Sequence, residues 1–196
     1  MQTLPAQATL ILVDVQQAFD NAERWGQRNN PDAESNIGRL LAAWRETGRP
    51  VIHIHHRNTA PGGQFSTDQP GFTVKPEAAP LPSEPVIYKT VNSAFIGTDL
   101  ESRLHSNAVT DVVICGITTD HCVSTTTRMA GNLGFSVILV ADACATFDRV
   151  GPTGRHWAAQ EMHDSALASL HDEFATVTDT EDVLGLLGST AAPVSS

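Results

Sequence analysis

Six short apolar segments, separated by stretches of helical periodicity, constrain the fold of this chain most strongly. Four are nearly continuous runs rich in Val and Ile and two are weaker; in chain order they cover residues 8–13, 51–54, 85–88, 111–115, 135–140 and 174–177. Strands covered on both faces of a parallel sheet have this pattern, whereas half-solvated strands alternate apolar and polar residues. The pattern predicts an α/β fold, a single doubly wound domain with a mainly parallel central sheet of about six strands between two layers of helices.

Helical segments occupy the intervals between these runs. Apolar residues recur at helical spacing from Ile37 to Trp44, and further helices are predicted over about 98–104, 120–133, 155–170 and 180–187. We expect residues 1–188 to form one domain and residues 189–196 to be a frayed C-terminal tail. Residues 20–31 and 58–82 lack periodicity, and each is either a lid or substrate-binding loop or a solvated insertion; for residues 58–82 an interface element is a further alternative.

Composition and charge exclude several classes of function. The chain has 196 residues and a formal net charge of −10, so its surface offers no general attraction for nucleic acid. The N-terminus lacks the basic and apolar regions of a signal peptide, and no apolar run approaches the roughly 20 residues of a membrane span. Three cysteines without metal-binding spacing indicate a reducing compartment, so we predict a cytoplasmic protein without a membrane partner.

Two charged residues stand at the ends of predicted strands. Asp14 follows the all-apolar run of the first strand, and Lys89 follows the segment Val86-Ile87-Tyr88. A charged side chain at such a place is costly to bury unless it is paired or used in chemistry. A helix cap or turn former for Asp14 and a solvated surface position for Lys89 are the alternatives.

The segment from Val112 to Ser124 carries the candidate nucleophile. A buried strand runs into Gly116, and Cys122 then falls in the first turn of the following helix. The N–H groups and partial positive charge of a helix N-terminus lower the pKa of a thiol and can also bind an oxyanion. Cys115 reads as a core residue of the strand, and Cys144 as a packed residue of the loop after the fifth strand.

Together these motifs resemble the isochorismatase-like cysteine hydrolases. The resemblance rests on Asp14-Val15-Gln16, on Lys89 with the segment Asn92 to Leu100, on Gly116 to Val123, and on Val140-Ala141-Asp142-Ala143, which occur in the family's order. It spans about residues 8–177. Each motif alone is weak, and their conjunction is specific.

The resemblance implies a site and a reaction. Asp14 would be the general base, Lys89 would stabilise the charges of Asp14 and Cys122, and Cys122 would attack an amide or carbamoyl carbon to give a thioacyl intermediate. The peptide between Ile117 and Thr118 would be cis, with the backbone N–H groups of Thr118 and Cys122 forming the oxyanion hole.

Further expectations concern the substrate pocket and the proton. Phe19 matches a pocket aromatic of relatives, and Phe95 and His121 are further pocket candidates. Lys89 and the helix N-terminus should lower the pKa of Cys122, while Asp14 opposes them, so we expect one proton shared between Asp14 and Cys122.

No metal and no organic cofactor are predicted. Metal-binding nicotinamidases of the family carry Asp-x-His after the second strand, where this chain has His56-Arg57-Asn58. His53 and His55 point to one face of the strand and are expected to be packed or hydrogen-bonded. Whether any of these three histidines contacts substrate stays open.

Two other functions remain as alternatives. One is isochorismatase-type hydrolysis of a vinyl ether, which does not need the cysteine, and the other is a non-catalytic binding protein that retains the fold. A nucleotide-binding α/β protein is disfavoured because the turn after the first strand lacks glycines. The resemblance further implies a small-molecule amide or carbamoyl substrate and a homo-oligomer, a dimer or a tetramer.

Overall fold

The computed structural model describes residues 3–188, and its centre is a six-stranded sheet. The strands are β1 (Thr9–Val13), β2 (Val51–His56), β3 (Val86–Lys89), β4 (Asp111–Ile117), β5 (Ser136–Ala145), and, after a separate antiparallel hairpin of β6 (Arg149–Val150) and β7 (His156–Trp157), β8 (Thr176–Thr178). The sheet has the order β3-β2-β1-β4-β5-β8, and all its neighbouring strands are parallel. The predicted doubly wound fold is confirmed.

Helices flank this sheet. They are α1 (Ala22–Trp25), α2 (Ala33–Glu46), α3 (Leu100–Ser106), α4 (Ser124–Asn132), α5 (Ala159–Leu170) and α6 (Thr180–Leu186). Helix α2 packs against α6, and α4 packs against α5. The residues that recur at helical spacing in α2 are buried, namely Ile37, Leu40, Leu41 and Trp44, and the Trp44 indole N–H donates to the carbonyl of Ala8 at 2.9 Å.

Strands β1 and β4 approach each other closely at the edge where the site lies. Gly116 of β4 pairs with Val13 of β1 and has a φ of +136°, and a Cβ at Gly116 would stand 2.0 Å from the Val13 carbonyl oxygen. Only glycine therefore fits there. The chain winds outward from β1 to β2 and β3 on one side and from β4 to β5 and β8 on the other, so the β1–β4 boundary is the switch point where ligands bind in such sheets.

Strand β5 is longer than predicted, which corrects the position of one cysteine. It continues beyond Val140 to Ala145, so Cys144 is a buried strand residue and does not lie in the following loop. The strand can pass through Asp142 because that carboxylate accepts hydrogen bonds from the backbone N–H of Thr180 at 2.8 Å and from the Asn36 amide at 3.1 Å. A carboxylate whose oxygens accept hydrogen bonds from the protein can be accommodated within a strand.

Helix α5 starts at Ala159, four residues after the predicted start at 155. The Asp148 carboxylate accepts from the backbone N–H of Ala159 at 2.8 Å and contacts the His156 ring at 2.8 Å, which holds His156 in the β6–β7 hairpin. The pairing of two two-residue strands leaves no periodic signal in the sequence.

Among residues 3–188, no helix is both long and apolar enough to cross a membrane. The predicted tail, residues 189–196, lies outside the described residues, and the division of the chain at residue 188 stays a prediction.

Candidate active site

Three polar side chains meet at the carboxyl edge of the sheet. Asp14 is the first residue after β1, Lys89 is the last residue of β3, and both are buried, with 1% of each exposed. Cys122 lies in a π-helical turn, Thr119–Val123, that joins the β4 side of the switch point to α4. Asp14 has a φ of +53°, an uncommon backbone conformation that often occurs at functional sites.

The ammonium of Lys89 is the centre of this cluster. Its Nζ lies 2.6 Å from Asp14 Oδ2, 3.3 Å from Cys122 Sγ, 3.2 Å from His56 Nδ1 and 3.2 Å from the carbonyl oxygen of Val91. A lysine is almost never fully buried without partners, and these contacts supply them. A helix cap for Asp14 and a solvated Lys89, two of the alternatives considered for the strand ends, are therefore wrong.

The protonation of the cluster differs from the expected low-pKa thiol. Burial, together with the nearby Asp14 carboxylate, raises the pKa of Cys122 to about 12, and the opposing effect of Lys89 is smaller than burial. Burial also raises the pKa of Asp14, against the lowering effect of Lys89. The expectation that the helix N-terminus and Lys89 would bring the thiol pKa below its usual value is wrong, because desolvation dominates. A proton shared between the two groups stays a prediction.

The loop after β4 places the residues proposed for the oxyanion hole. The peptide between Ile117 and Thr118 is cis, at the position that the resemblance implies. Thr118 immediately precedes the turn that carries Cys122, and both residues line the same cavity.

That cavity encloses about 140 Å³ beside the cluster. Its lining residues are Asp14, Phe19, Trp25, His56, Phe65, Asn92, Thr118, His121 and Cys122. The structure thus places the predicted Phe19 and His121 at the cavity. A larger cavity of about 440 Å³ lies at the opposite edge of the sheet, near the starts of β2 and β4, and does not include the cluster.

The expected place of Phe95 in the substrate pocket is wrong. Phe95 is not among the cavity-lining residues of the described chain; it is buried in the core and stacks on Phe135 with ring centroids 6.2 Å apart. The backbone N–H of its neighbour Ala94 donates to the Thr126 hydroxyl at 3.1 Å, which fixes this segment against α4.

Sequence reasoning did not single out Trp25, Phe65, His56 and Asn92 as pocket residues. Trp25 and Phe65 belong to the two segments without periodicity, 20–31 and 58–82, so each segment contributes an aromatic ring to the cavity. Lys75 joins the segments: its buried ammonium pairs with Asp20 and lies 2.8 Å from Glu34. For Trp25 and Phe65, the sequence signal that could have indicated a pocket residue was an aromatic side chain in a segment without periodicity.

The histidines of β2 divide as the strand alternates. His53 and His55 are buried; His53 Nε2 lies 2.9 Å from Glu84 Oε2, and His55 packs edge-on against Tyr88 with ring centroids 5.9 Å apart. Their expected packing or hydrogen bonding is confirmed. His56 points the other way, to Lys89, which is its partner in the β2–β3 register.

Within residues 3–188, Asp14, His56 and Cys122 form a group with the chemistry to hold a metal. Their donor atoms lie within 4.8 Å of one another. The Lys89 ammonium is 2.6–3.3 Å from a donor atom of each, so a positive charge already stands between them. This arrangement fits an ammonium better than a second cation, and the absence of a metal stays a prediction.

Comparison with known proteins places the chain in a family. The isochorismatase domain model matches residues 8–182. YrdC of Bacillus subtilis (strain 168), an uncharacterised isochorismatase family protein, is 49% identical over 175 residues, which cover 89% of this chain and 93% of YrdC. Ureidoacrylate amidohydrolase RutB of Methylobacterium radiotolerans is 27% identical over an alignment that covers 94% of this chain and 81% of the RutB chain.

A crystal structure of a hydrolase of the isochorismatase family from Chromobacterium violaceum aligns with a TM-score of 0.93 and 44% identity, over 96% of this chain and 97% of that one. The fold, the cluster at its switch point and these similarities show that the chain belongs to the isochorismatase family of hydrolases.

Proposed function

We propose that this protein hydrolyses a C–N bond of a small amide or carbamoyl compound through a thioacyl intermediate on Cys122. One observation carries the proposal: the Lys89 ammonium contacts both Asp14 Oδ2 at 2.6 Å and Cys122 Sγ at 3.3 Å beside a cavity. A thiol, a base and a cation within reach of one another are the parts that acyl transfer needs.

In the first step Asp14 accepts the thiol proton as Sγ attacks the carbonyl carbon. Burial raises the pKa of Cys122, so the proton moves to Asp14 as the sulfur attacks and no free thiolate precedes this step. The oxyanion of the tetrahedral intermediate accepts hydrogen bonds from the backbone N–H groups of Thr118 and Cys122. The C–N bond then breaks, and the amine leaves with the proton held by Asp14.

In the second step water hydrolyses the thioacyl group. Asp14, again unprotonated, takes a proton from the water while its oxygen attacks the carbonyl carbon. The C–S bond breaks, the carboxylic acid leaves, and Sγ recovers the proton from Asp14. Lys89 keeps its charge throughout and stabilises the negative charge as it passes between Asp14 and Cys122.

Amide chemistry is favoured over the hydrolysis of a vinyl ether because the cysteine lies within the cluster, where a vinyl-ether hydrolase would not need it. The amidohydrolase activity named for RutB also supports a C–N bond as the target. A non-catalytic binding protein would have no need of the buried ion pair, which is costly to bury.

A screen for ammonia release from small uncharged amides, N-carbamoyl compounds and ureido acids tests the proposal. The natural protein should release ammonia from at least one compound, and Cys122→Ala should lose this activity. Cys115→Ala is the control, because Cys115 is a thiol buried in β4 outside the cavity. Undiminished turnover by Cys122→Ala would refute the role of the cysteine.

We also propose a homo-oligomer in the reducing cytoplasm. All three cysteines are free thiols, and the sheet edge at β3 with the segment after it exposes Tyr88, Val91 and Ile96 by 42–50%. Apolar surface at one edge supports self-association. Light scattering should give the mass of a dimer or tetramer, and a monomer mass at micromolar concentration would refute it.

A further inference from the structure

The lining of the cavity beside Cys122 includes two chemically distinct groups of residues. The polar group consists of Asp14, His56, Thr118 and Cys122. The aromatic group, which we name the aromatic wall, consists of Phe19, Trp25 and Phe65. Asn92 and His121, both exposed, complete the lining.

The aromatic wall presents ring surface to a ligand and no free polar atom. The Trp25 indole N–H already donates to the carbonyl of Ala18 at 2.8 Å. Phe19 lies at the centre of the wall, with its ring centroid 5.0 Å from that of Trp25 and 5.2 Å from that of Phe65, and Phe147 stacks behind it at 6.0 Å. Rings braced in this way form a rigid apolar surface that favours a flat or branched hydrocarbon group.

The lining also lacks a cation for an anionic substrate. In the described chain, residues 3–188, no lysine or arginine lines this cavity. Asp14 is matched by the buried Lys89, and His56 is uncharged because burial and the neighbouring Lys89 lower its pKa to about 4. A second carboxylate in the cavity would face Asp14 without a cationic partner of its own, which is unfavourable.

Size sets a further limit. The volume of about 140 Å³ is close to that of an engineered apolar cavity of about 150 Å³ that binds benzene. The space beside Cys122 therefore accommodates one six-membered ring or an aliphatic group of similar volume.

We propose that the substrate is an uncharged carboxamide whose acyl group, a single ring or a short branched chain, packs on the aromatic wall. This inference rests on the proposed function. The reaction forms a thioester to Cys122 with release of ammonia, and water then gives the carboxylic acid and restores the thiol. The product carries a charge that the substrate lacks, and the absence of a cation in the lining favours its departure.

A pair of substrates of equal size tests the charge requirement. In 4-methylpentanamide an isopropyl group stands where succinamate has its carboxylate, and both have the same number of non-hydrogen atoms. We expect kcat/KM for succinamate to be lower by at least ~100-fold. Values within ~10-fold of each other would overturn the inference, while Cys122-dependent hydrolysis of both would leave the proposed function standing.

The size requirement is tested with benzamide and 1-naphthamide. The natural protein should prefer benzamide by at least ~10-fold, and Trp25→Ala should reduce that preference by removing a ring from the wall. Trp157→Ala is the matched control, because Trp157 is a half-buried tryptophan of the β6–β7 hairpin outside the cavity lining. Equal rates for both amides, or the same change of preference in both variants, would overturn the inference. Failure of all four amides to react would overturn the inference alone, because Cys122-dependent release of ammonia from an N-carbamoyl compound or a ureido acid would leave the proposed function standing.

Discussion

Replacement of Lys89 by Met removes the cation from the cluster while keeping most of the side-chain volume. In the natural protein the ammonium is buried and lies 2.6 Å from Asp14 Oδ2. At that separation two unit charges attract by about 6 kcal/mol at an effective dielectric constant of about 20. Without Lys89 the buried carboxylate loses this attraction, and the pKa of Asp14, already raised by burial, rises further.

The expected loss of activity follows from the ionisation of the base. Each tenfold change in the ionised fraction of a carboxyl group corresponds to about 1.4 kcal/mol, so less than half of the lost attraction is enough to lower the ionised fraction of Asp14 by ~100-fold. We therefore expect kcat/KM at pH 7 to fall by ~100-fold or more, and the acid limb of the pH profile to move to higher pH.

The assay is kcat/KM for an amide between pH 5 and 10, with thermal unfolding measured alongside. Lys75→Met is the control, because Lys75 is also a buried lysine paired with carboxylates but lies outside the cavity lining. Lys75→Met should lower the thermal stability without shifting the acid limb of the pH profile of kcat/KM. Near-normal activity of Lys89→Met with an unchanged pH profile would refute the reasoning and make the lysine structural.

Three further predictions concern the reactivity of the Cys122 thiol, the stability of the protein in acid and the close approach of β1 and β4 at Gly116. Asp14→Asn removes the negative charge that helps raise the pKa of Cys122, so alkylation by iodoacetamide at pH 8 should become faster while hydrolysis is lost; slower alkylation would contradict this. The neighbouring Arg28 and Lys75 lower the pKa of Glu34 from 4.5 to about 2 despite its burial, so it contributes on the order of 2–3 kcal/mol of stability above pH 4.5 that is lost as the pH falls towards 2. Glu34→Gln should therefore flatten the dependence of unfolding free energy on pH in that range, and an unchanged slope would contradict it. Gly116→Ala should cost at least ~3 kcal/mol by chemical denaturation, because its Cβ would clash with the Val13 carbonyl; a cost below ~1 kcal/mol would show that β1 and β4 can separate.

The architecture follows from the sequence where burial alone decides it. Nearly continuous apolar runs leave no face for solvent, so a parallel sheet covered by helices was the natural expectation. The end of β5 and the start of α5 could not be predicted, because both depend on side-chain hydrogen bonds between distant segments. Asp142 is satisfied by Asn36 and Thr180, and Asp148 binds the first N–H of α5.

Some features of the candidate site could likewise be predicted from the sequence and others could not. Asp14 and Lys89 could be singled out as charged residues at the ends of buried strands and Cys122 as a thiol in the first turn of a helix, and the resemblance to the isochorismatase-like cysteine hydrolases joined the three into one site. The contact between His56 and Lys89 depends on the register of β2 against β3, which the sequence does not state. Phe95 was assigned to the pocket from its motif, yet the segment after β3 turns it into the core. The pKa of Cys122 depends on the degree of desolvation, which a helix N-terminus alone does not reveal.

The central claim, that Cys122 is acylated during turnover, is tested most directly by mass spectrometry. The protein is mixed briefly with an amide that it hydrolyses, quenched in acid and digested. We expect fragmentation of the peptides to place the acyl group, a gain of its mass less one hydrogen, on Cys122 and to leave Cys115 and Cys144 unmodified. Acylation of Cys144, or turnover by Cys122→Ala at the natural rate, would contradict it.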